Sequence, residues 1–144
     1  MTRSELMSRI KSKNTGPERR LWRALRKAGL YYRRHARVGV WRTYTCDALA
    51  RLTKSLDNVV SWPQPRQIAV FVHGCFWHGH AGCYRTPRTN VRFWEDKVRN
   101  NTRRDRRAAA AAKNDRHIVV TLWECEDDAR WARKIQSAVR KAGA

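Results

Sequence analysis

The sequence predicts an α/β fold with a central mixed β-sheet flanked by helices. Two apolar runs, Gln67–His73 and His117–Trp123, have the character of strands covered on both faces. Segments with helical spacing of apolar residues precede, separate and follow them. The chain has 144 residues, 42% of them apolar, enough for one domain, 1–144, with a modest core.

Each element has a local reason. Residues 1–15 read as a basic arm or short helix. Thr15-Gly16-Pro17-Glu18 is a helix start: Thr15 caps, Pro17 suits the first turn, and Glu18 stands three residues after the cap. The helix runs to about Lys27 with Leu21, Trp22, Leu25 and Leu30 toward the core, and Gly29 ends it. Tyr31–Asp47 is mixed, with alternation at Val38, Val40 and Tyr44 that suggests strand, and Arg42–Leu49 reads as strand. Residues 50–66 have no clear period, and Ser61-Trp62-Pro63-Gln64-Pro65 is loop chemistry, so this stretch reads as an insertion loop. Pro87 to about Lys113 predicts a long helix, broken in character. Its second half is arginine-rich before the alanines 108–112. Glu126–Ala142 predicts a terminal helix with Trp131, Ile135, Ala138 and Val139 on one face.

Charge narrows the function classes. Thirty-two Lys and Arg against 12 Asp and Glu leave a net charge of +20, spread along the chain. Such a field attracts a polyanion at long range, so a nucleic-acid partner is expected. No run approaches membrane-spanning length and the start is polar, which points to the cytoplasm and away from a membrane. There, clustered Cys and His mean metal binding or catalysis more than disulfides.

The cluster lies in Phe71–Cys83, FVHGCFWHGHAGC. Cys75, His80 and Cys83 have the ligand types and close spacing that zinc requires. Cys125 follows the second apolar run and closes a Cys3His set if the two runs are neighbouring strands. Cys46 is expected to pack and not to bind metal. His73 and His78 remain for proton transfer, and Phe76-Trp77 for stacking on bases.

HGCFWHGH, the Lys11-Ser12-Lys13-Asn14-Thr15-x-Pro17-Glu18 start, Thr89-Asn90-x-x-Phe93-Trp94 and Trp123-Glu124-Cys125 occur together and in order. In this the chain resembles the very short patch repair (Vsr) DNA mismatch endonucleases, from about Ser4 to about Asp128. The resemblance implies a restriction-endonuclease-like fold with one structural zinc. It also implies magnesium-dependent nicking of one strand beside the thymine of a T:G mismatch in DNA repair. The partner would be double-stranded DNA, and the chain would act as a monomer in the cytoplasm, at the nucleoid. Position by position, Cys75, His80, Cys83 and Cys125 fall on the zinc ligands. His73 and His78 fall on catalytic histidines, and Glu18 on an acid that orients a catalytic histidine. Phe76 and Trp77 fall on the aromatic pair inserted beside the mismatch, and Met7 on a wedge from the minor-groove side. The family's magnesium-binding aspartate stands in a Pro-Asp step, which this chain lacks. Asp47 and Asp57 both qualify; Asp47 is chosen, because it lies in a strand-like segment while extra residues belong in the polar stretch after it.

Two other readings compete. One is a non-catalytic, zinc-stabilised DNA-binding module. The other is a ββα-metal nuclease whose histidines bind the catalytic metal; it is weakened because the Cys3His set consumes His80 and no Asn-His pair follows.

Overall fold

Glycine and charge shape the first helix, α1 (Gly16–Lys27), which carries Glu18 in its first turn and Arg26 and Lys27 in its last. Gly29, at φ +76°, ends it, and Leu30 N–H reaches back to Leu25 C=O at 3.1 Å. The computed structural model describes residues 16–52 and 66–143. Met7, Asp57, the expected N-terminal arm and most of the expected insertion lie outside the described residues.

After α1 come β1 (Tyr31–Arg34), β2 (Arg37–Val38), β3 (Tyr44–Thr45), β4 (Ala48–Arg51) and β5 (Ile68–His73). Then follow α2 (Val91–Asn114), β6 (Ile118–Trp123) and α3 (Asp128–Gly143). The sheet order is β1-β4-β5-β6; β2 and β3 form a separate two-stranded ribbon. β1, β4 and β5 pair antiparallel and β5 and β6 pair parallel, so the sheet is mixed as expected.

Alternation along the strands builds two cores. Ala48, Ala50, Ile68, Val70, Val120 and Leu122 face α1 and α3, packing on Leu21, Leu25, Trp131 and Ile135. Leu49, Ala69 and Phe71 face the other way, onto α2 and the ribbon, with Ala108, Ala112, Val38 and Cys46. Both sheet faces are covered, which is why the strands read as continuous apolar runs. The alanine run has a packing purpose: Ala108 and Ala112, one turn apart, are buried and bring α2 close to the sheet. Cys46 is fully buried and its thiol donates to Ala36 C=O at 3.4 Å, as a packing residue would.

The structure corrects two expectations. Arg42–Leu49 is not one strand: β3 and β4 are separated at Cys46 and Asp47. There Cys46 N–H bonds Ala36 C=O and Asp47 N–H bonds Val70 C=O, so the chain changes partner from the ribbon to the sheet. The long helix is unbroken, and it starts at Val91 and not at Pro87, because Asn90 takes a left-handed conformation (φ +53°) that helix cannot continue through.

Candidate functional site

Register decides where the chemistry gathers. His73 pairs with Trp123, so β5 and β6 end side by side and their following loops emerge together. Glu124 locks them: its N–H donates to His73 C=O at 3.1 Å, and its carboxylate accepts from Cys75 N–H at 2.9 Å.

The first cluster is Cys75, His80, Cys83 and Cys125, whose ligand atoms lie within 4.8 Å of one another. His80 Nδ1 stands 3.5 Å from Cys75 Sγ and 3.3 Å from Cys125 Sγ. The loop Cys75–Tyr84 is wound by backbone bonds from His80 N–H to Cys75 C=O and from Cys83 and Tyr84 N–H to His80 C=O. Trp123 stacks flat on the His80 ring, centroids 4.0 Å apart at 5°, and holds its orientation. Burial and the neighbouring thiols push the Cys75 thiol up to about 12, and the Cys125 thiol pushes Cys83 up. Three thiols with an imidazole nitrogen in their midst are a donor set that a soft or borderline divalent cation suits.

The second cluster is His73, His78 and Asp105. His73 is the last residue of β5, His78 comes from the following loop, and Asp105 reaches in from α2. His78 Nδ1 hydrogen-bonds Asp105 Oδ2, and His73 Nε2 lies 4.0 Å from the same oxygen. The two imidazoles stack at 4.1 Å, and Trp123 covers His73 edge-on. Burial, with the nearby His78, lowers His73 to about 4, so its ring is neutral near pH 7. A cleft of about 410 Å³ opens on this cluster between α2 and the sheet, with Thr102, Arg106 and Thr121 in its walls.

The third cluster is Glu18, His35 and Asp47. Asp47 sits where the β4–β5 ladder stops, and its Oδ2 accepts Val72 N–H at 2.7 Å. Burial raises its carboxyl to about 6, against the lowering effect of that hydrogen bond; Glu18 raises it further, while His35 and His78 lower it. His35 N–H donates to Asp47 C=O at 3.0 Å, and Glu18 Oε2 lies 3.5 Å from His35 Nε2. The imidazole within reach of Glu18 is therefore His35.

Phe76 and Trp77 are half-buried. Both rings pack on Trp94 of α2, at 5.5 and 6.3 Å, and Asn101 donates to Trp77 C=O at 2.8 Å. Beside them the α2 arginines Arg99, Arg103, Arg104, Arg106 and Arg107 are exposed. The structure thus brings Cys75, His80, Cys83 and Cys125 together, His73 beside His78, and Glu18 into one group with Asp47.

It adds two that sequence reasoning missed. Asp105 is the single acid between Asp96 and Asp115, inside an arginine run, and that isolation was an available signal. His35 carried none: it takes φ +50° in the link between β1 and β2, a conformation no local pattern announces.

A family model described as DNA mismatch endonuclease Vsr matches residues 1–39. The chain is 34% identical over 127 residues to the type II nicking enzyme V.XorIIP of Xanthomonas oryzae pv. oryzae, covering 86% of this chain and 80% of that one. It is 33% identical over 126 residues to DNA mismatch endonuclease Vsr of Escherichia coli, covering 86% and 70%. It is 35% identical over 129 residues to the type II nicking enzyme V.NaeI of Lentzea aerocolonigenes, covering 87% and 69%.

Proposed function

Since the chain belongs to the DNA mismatch endonuclease Vsr family and is a DNA endonuclease, we propose that it nicks one strand next to the thymine of a T:G mismatch. The reaction is magnesium-dependent, and zinc at Cys75, His80, Cys83 and Cys125 staples the two loops that carry it. The reading as a non-catalytic module gives way to this one. The observation that carries the proposal is the tie of the Asp47 carboxylate to Val72 N–H at 2.7 Å, one residue before His73, so that Asp47 lies at the end of the strand from which the His73–His78–Asp105 cluster is built.

Asp47 would hold magnesium, which when bound supplies charge neutralisation on the scissile phosphate and a more acidic water. His73, neutral near pH 7, can accept a proton from the attacking water. Asp105 holds His78 through Nδ1, which leaves Nε2 to pass a proton to the leaving oxygen, and the carboxylate stabilises the imidazolium in between. Glu18 is assigned the orienting of a catalytic histidine on the resemblance, and the imidazole nearest it is His35, 3.5 Å away beside Asp47. Phe76 and Trp77 lie on the same loop as His78, so their insertion beside an easily opened mismatch would set the adjacent phosphate against the histidines. Met7 is assigned the minor-groove wedge on the resemblance alone.

On the resemblance the chain is assigned a monomer, acting in the cytoplasm at the nucleoid. Among the described residues no helix is long and apolar enough to cross a membrane.

The test is nicking of strand-labelled duplexes that differ only in T:G against T:A, with and without magnesium. The proposal expects magnesium-dependent cleavage of the thymine strand of the mismatch alone. Equal cleavage of both duplexes refutes mismatch specificity and favours a nicking enzyme of the kind two of the relatives are named for. No cleavage of either refutes the assignment.

A further inference from the structure

His35 is the group to which the hydrolytic scheme assigns no contact with the reaction. Its Nε2 is buried and makes no hydrogen bond. The nearest carboxylate oxygen, from Glu18, is 3.5 Å away and outside hydrogen-bond geometry. A histidine serving only the core would satisfy that nitrogen. The backbone makes the placement more pointed. His35 holds φ +50°, unfavourable for a side-chain-bearing residue, and is kept there by its N–H bond to Asp47 C=O. Trp22 meets the ring edge-on at 6.1 Å and limits its rotation.

We infer that His35, Glu18 and Asp47 together form one cation site, so that the catalytic metal is held by an imidazole nitrogen as well as by carboxylate oxygens. The inference deepens the reading of Asp47 as the metal-binding carboxylate and rests on it. One ligand atom from each of the three residues lies within 4.8 Å of the others. Ligands sharing one ion at about 2.1–2.2 Å stand roughly 3–4.4 Å apart, so small side-chain adjustments close the site. The three arrive from separate elements: Glu18 from the first turn of α1, His35 from the link after β1, Asp47 from the step before β4. Two carboxylates and an imidazole gathered in a largely buried place are a donor set that a divalent cation between them suits. A nitrogen ligand also changes which ion fits. Magnesium keeps to oxygen and water, whereas first-row divalent metals accept imidazole readily. The site therefore prefers divalent manganese to magnesium, while both support it.

The experiment is pulsed electron paramagnetic resonance of the zinc-loaded full chain with divalent manganese added, in ordinary and in isotope-labelled-histidine protein. A directly bound imidazole nitrogen is expected in the modulation, and its pattern is expected to change with the label. His35→Gln is expected to remove that signal, to weaken manganese binding about tenfold, and to weaken magnesium binding much less. Wild-type protein that binds manganese without imidazole modulation overturns the inference, whatever the fate of the variant. Persistence of the full signal in His35→Gln overturns it too, by assigning the nitrogen to another histidine. Asp47→Asn separates the two readings. If it abolishes binding while the imidazole signal is absent from wild type, His35 alone is misassigned. If it leaves manganese affinity unchanged, or if the wild type binds no manganese, the Asp47 reading falls as well.

Discussion

Gly79 stands between His78 and His80, the one in the proposed catalytic cluster and the other in the candidate metal cluster, and Gly79→Ala should damage both. The backbone there has φ +60°, and a Cβ would lie 2.6 Å from Val98 Cγ1 of α2. The conformation costs a residue with a side chain about 1–2 kcal/mol. The contact adds about 1–3 kcal/mol of overpacking, because a β-branched side chain in a helix has one strongly preferred rotamer and cannot swing its methyl aside. The expected total is about 2–5 kcal/mol, a large part of the stability of a small domain. Val98→Ala removes the obstructing methyl and leaves the φ cost. In the Gly79→Ala background it should therefore restore about 1–2 kcal/mol, though alone it is mildly destabilising. The assay is reversible denaturation of zinc-loaded wild type, both single variants and the double variant, with zinc content and nicking rate measured on each. A Gly79→Ala protein as stable as wild type, or a cycle with no coupling between the two sites, refutes the reasoning.

Three further outcomes follow from the site. Asp105→Asn should lower single-turnover nicking about 10²–10⁴-fold, since it removes the carboxylate that orients His78, while DNA affinity stays nearly unchanged; an unaltered rate refutes the role. Cys83→Ala should lose the bound zinc by elemental analysis and melt at lower temperature, whereas Cys46→Ala should keep its zinc because that thiol is packed elsewhere. His117 is held below its ordinary value of 6.5, first by burial, then by Arg66 and Arg33 against the pull of Asp115. The unfolded chain therefore binds the extra proton first, so this contribution is full above 6.5 and is lost as pH falls through it. The stability difference between wild type and His117→Gln should shrink over that range, and a difference independent of pH would show the shift to be absent.

Local signals were enough for α1, β5, β6 and α3, because each carries its own period and its own stop. They were not enough for the stretch between Arg42 and Leu49. Its residues are all compatible with strand, and the break falls where hydrogen bonds pass from Ala36 to Val70, two partners distant in sequence. Nor could periodicity show where α2 begins, because that depends on a left-handed Asn90. The aromatic pair shows a similar limit. Phe76-Trp77 is conspicuous in the sequence, yet its rest against Trp94 depends on how α2 lies across the loop.

What the sequence by itself determined is the chemistry that short spacing can encode: a Cys/His set around one loop, two histidines flanking an aromatic pair, and a basic surface suited to DNA. Three of the four candidate metal ligands, and both histidines of the proposed catalytic cluster, lie within Phe71–Cys83. Tertiary structure alone decided which carboxylates meet those groups. Asp105 reaches His78 from 27 residues away because alanines let α2 lie close on the sheet. Glu18, His35 and Asp47 meet because a helix start, a strained link and the end of a strand ladder converge. Charged pairs of this kind are set by element packing and strand register, and no local pattern of residues encodes either.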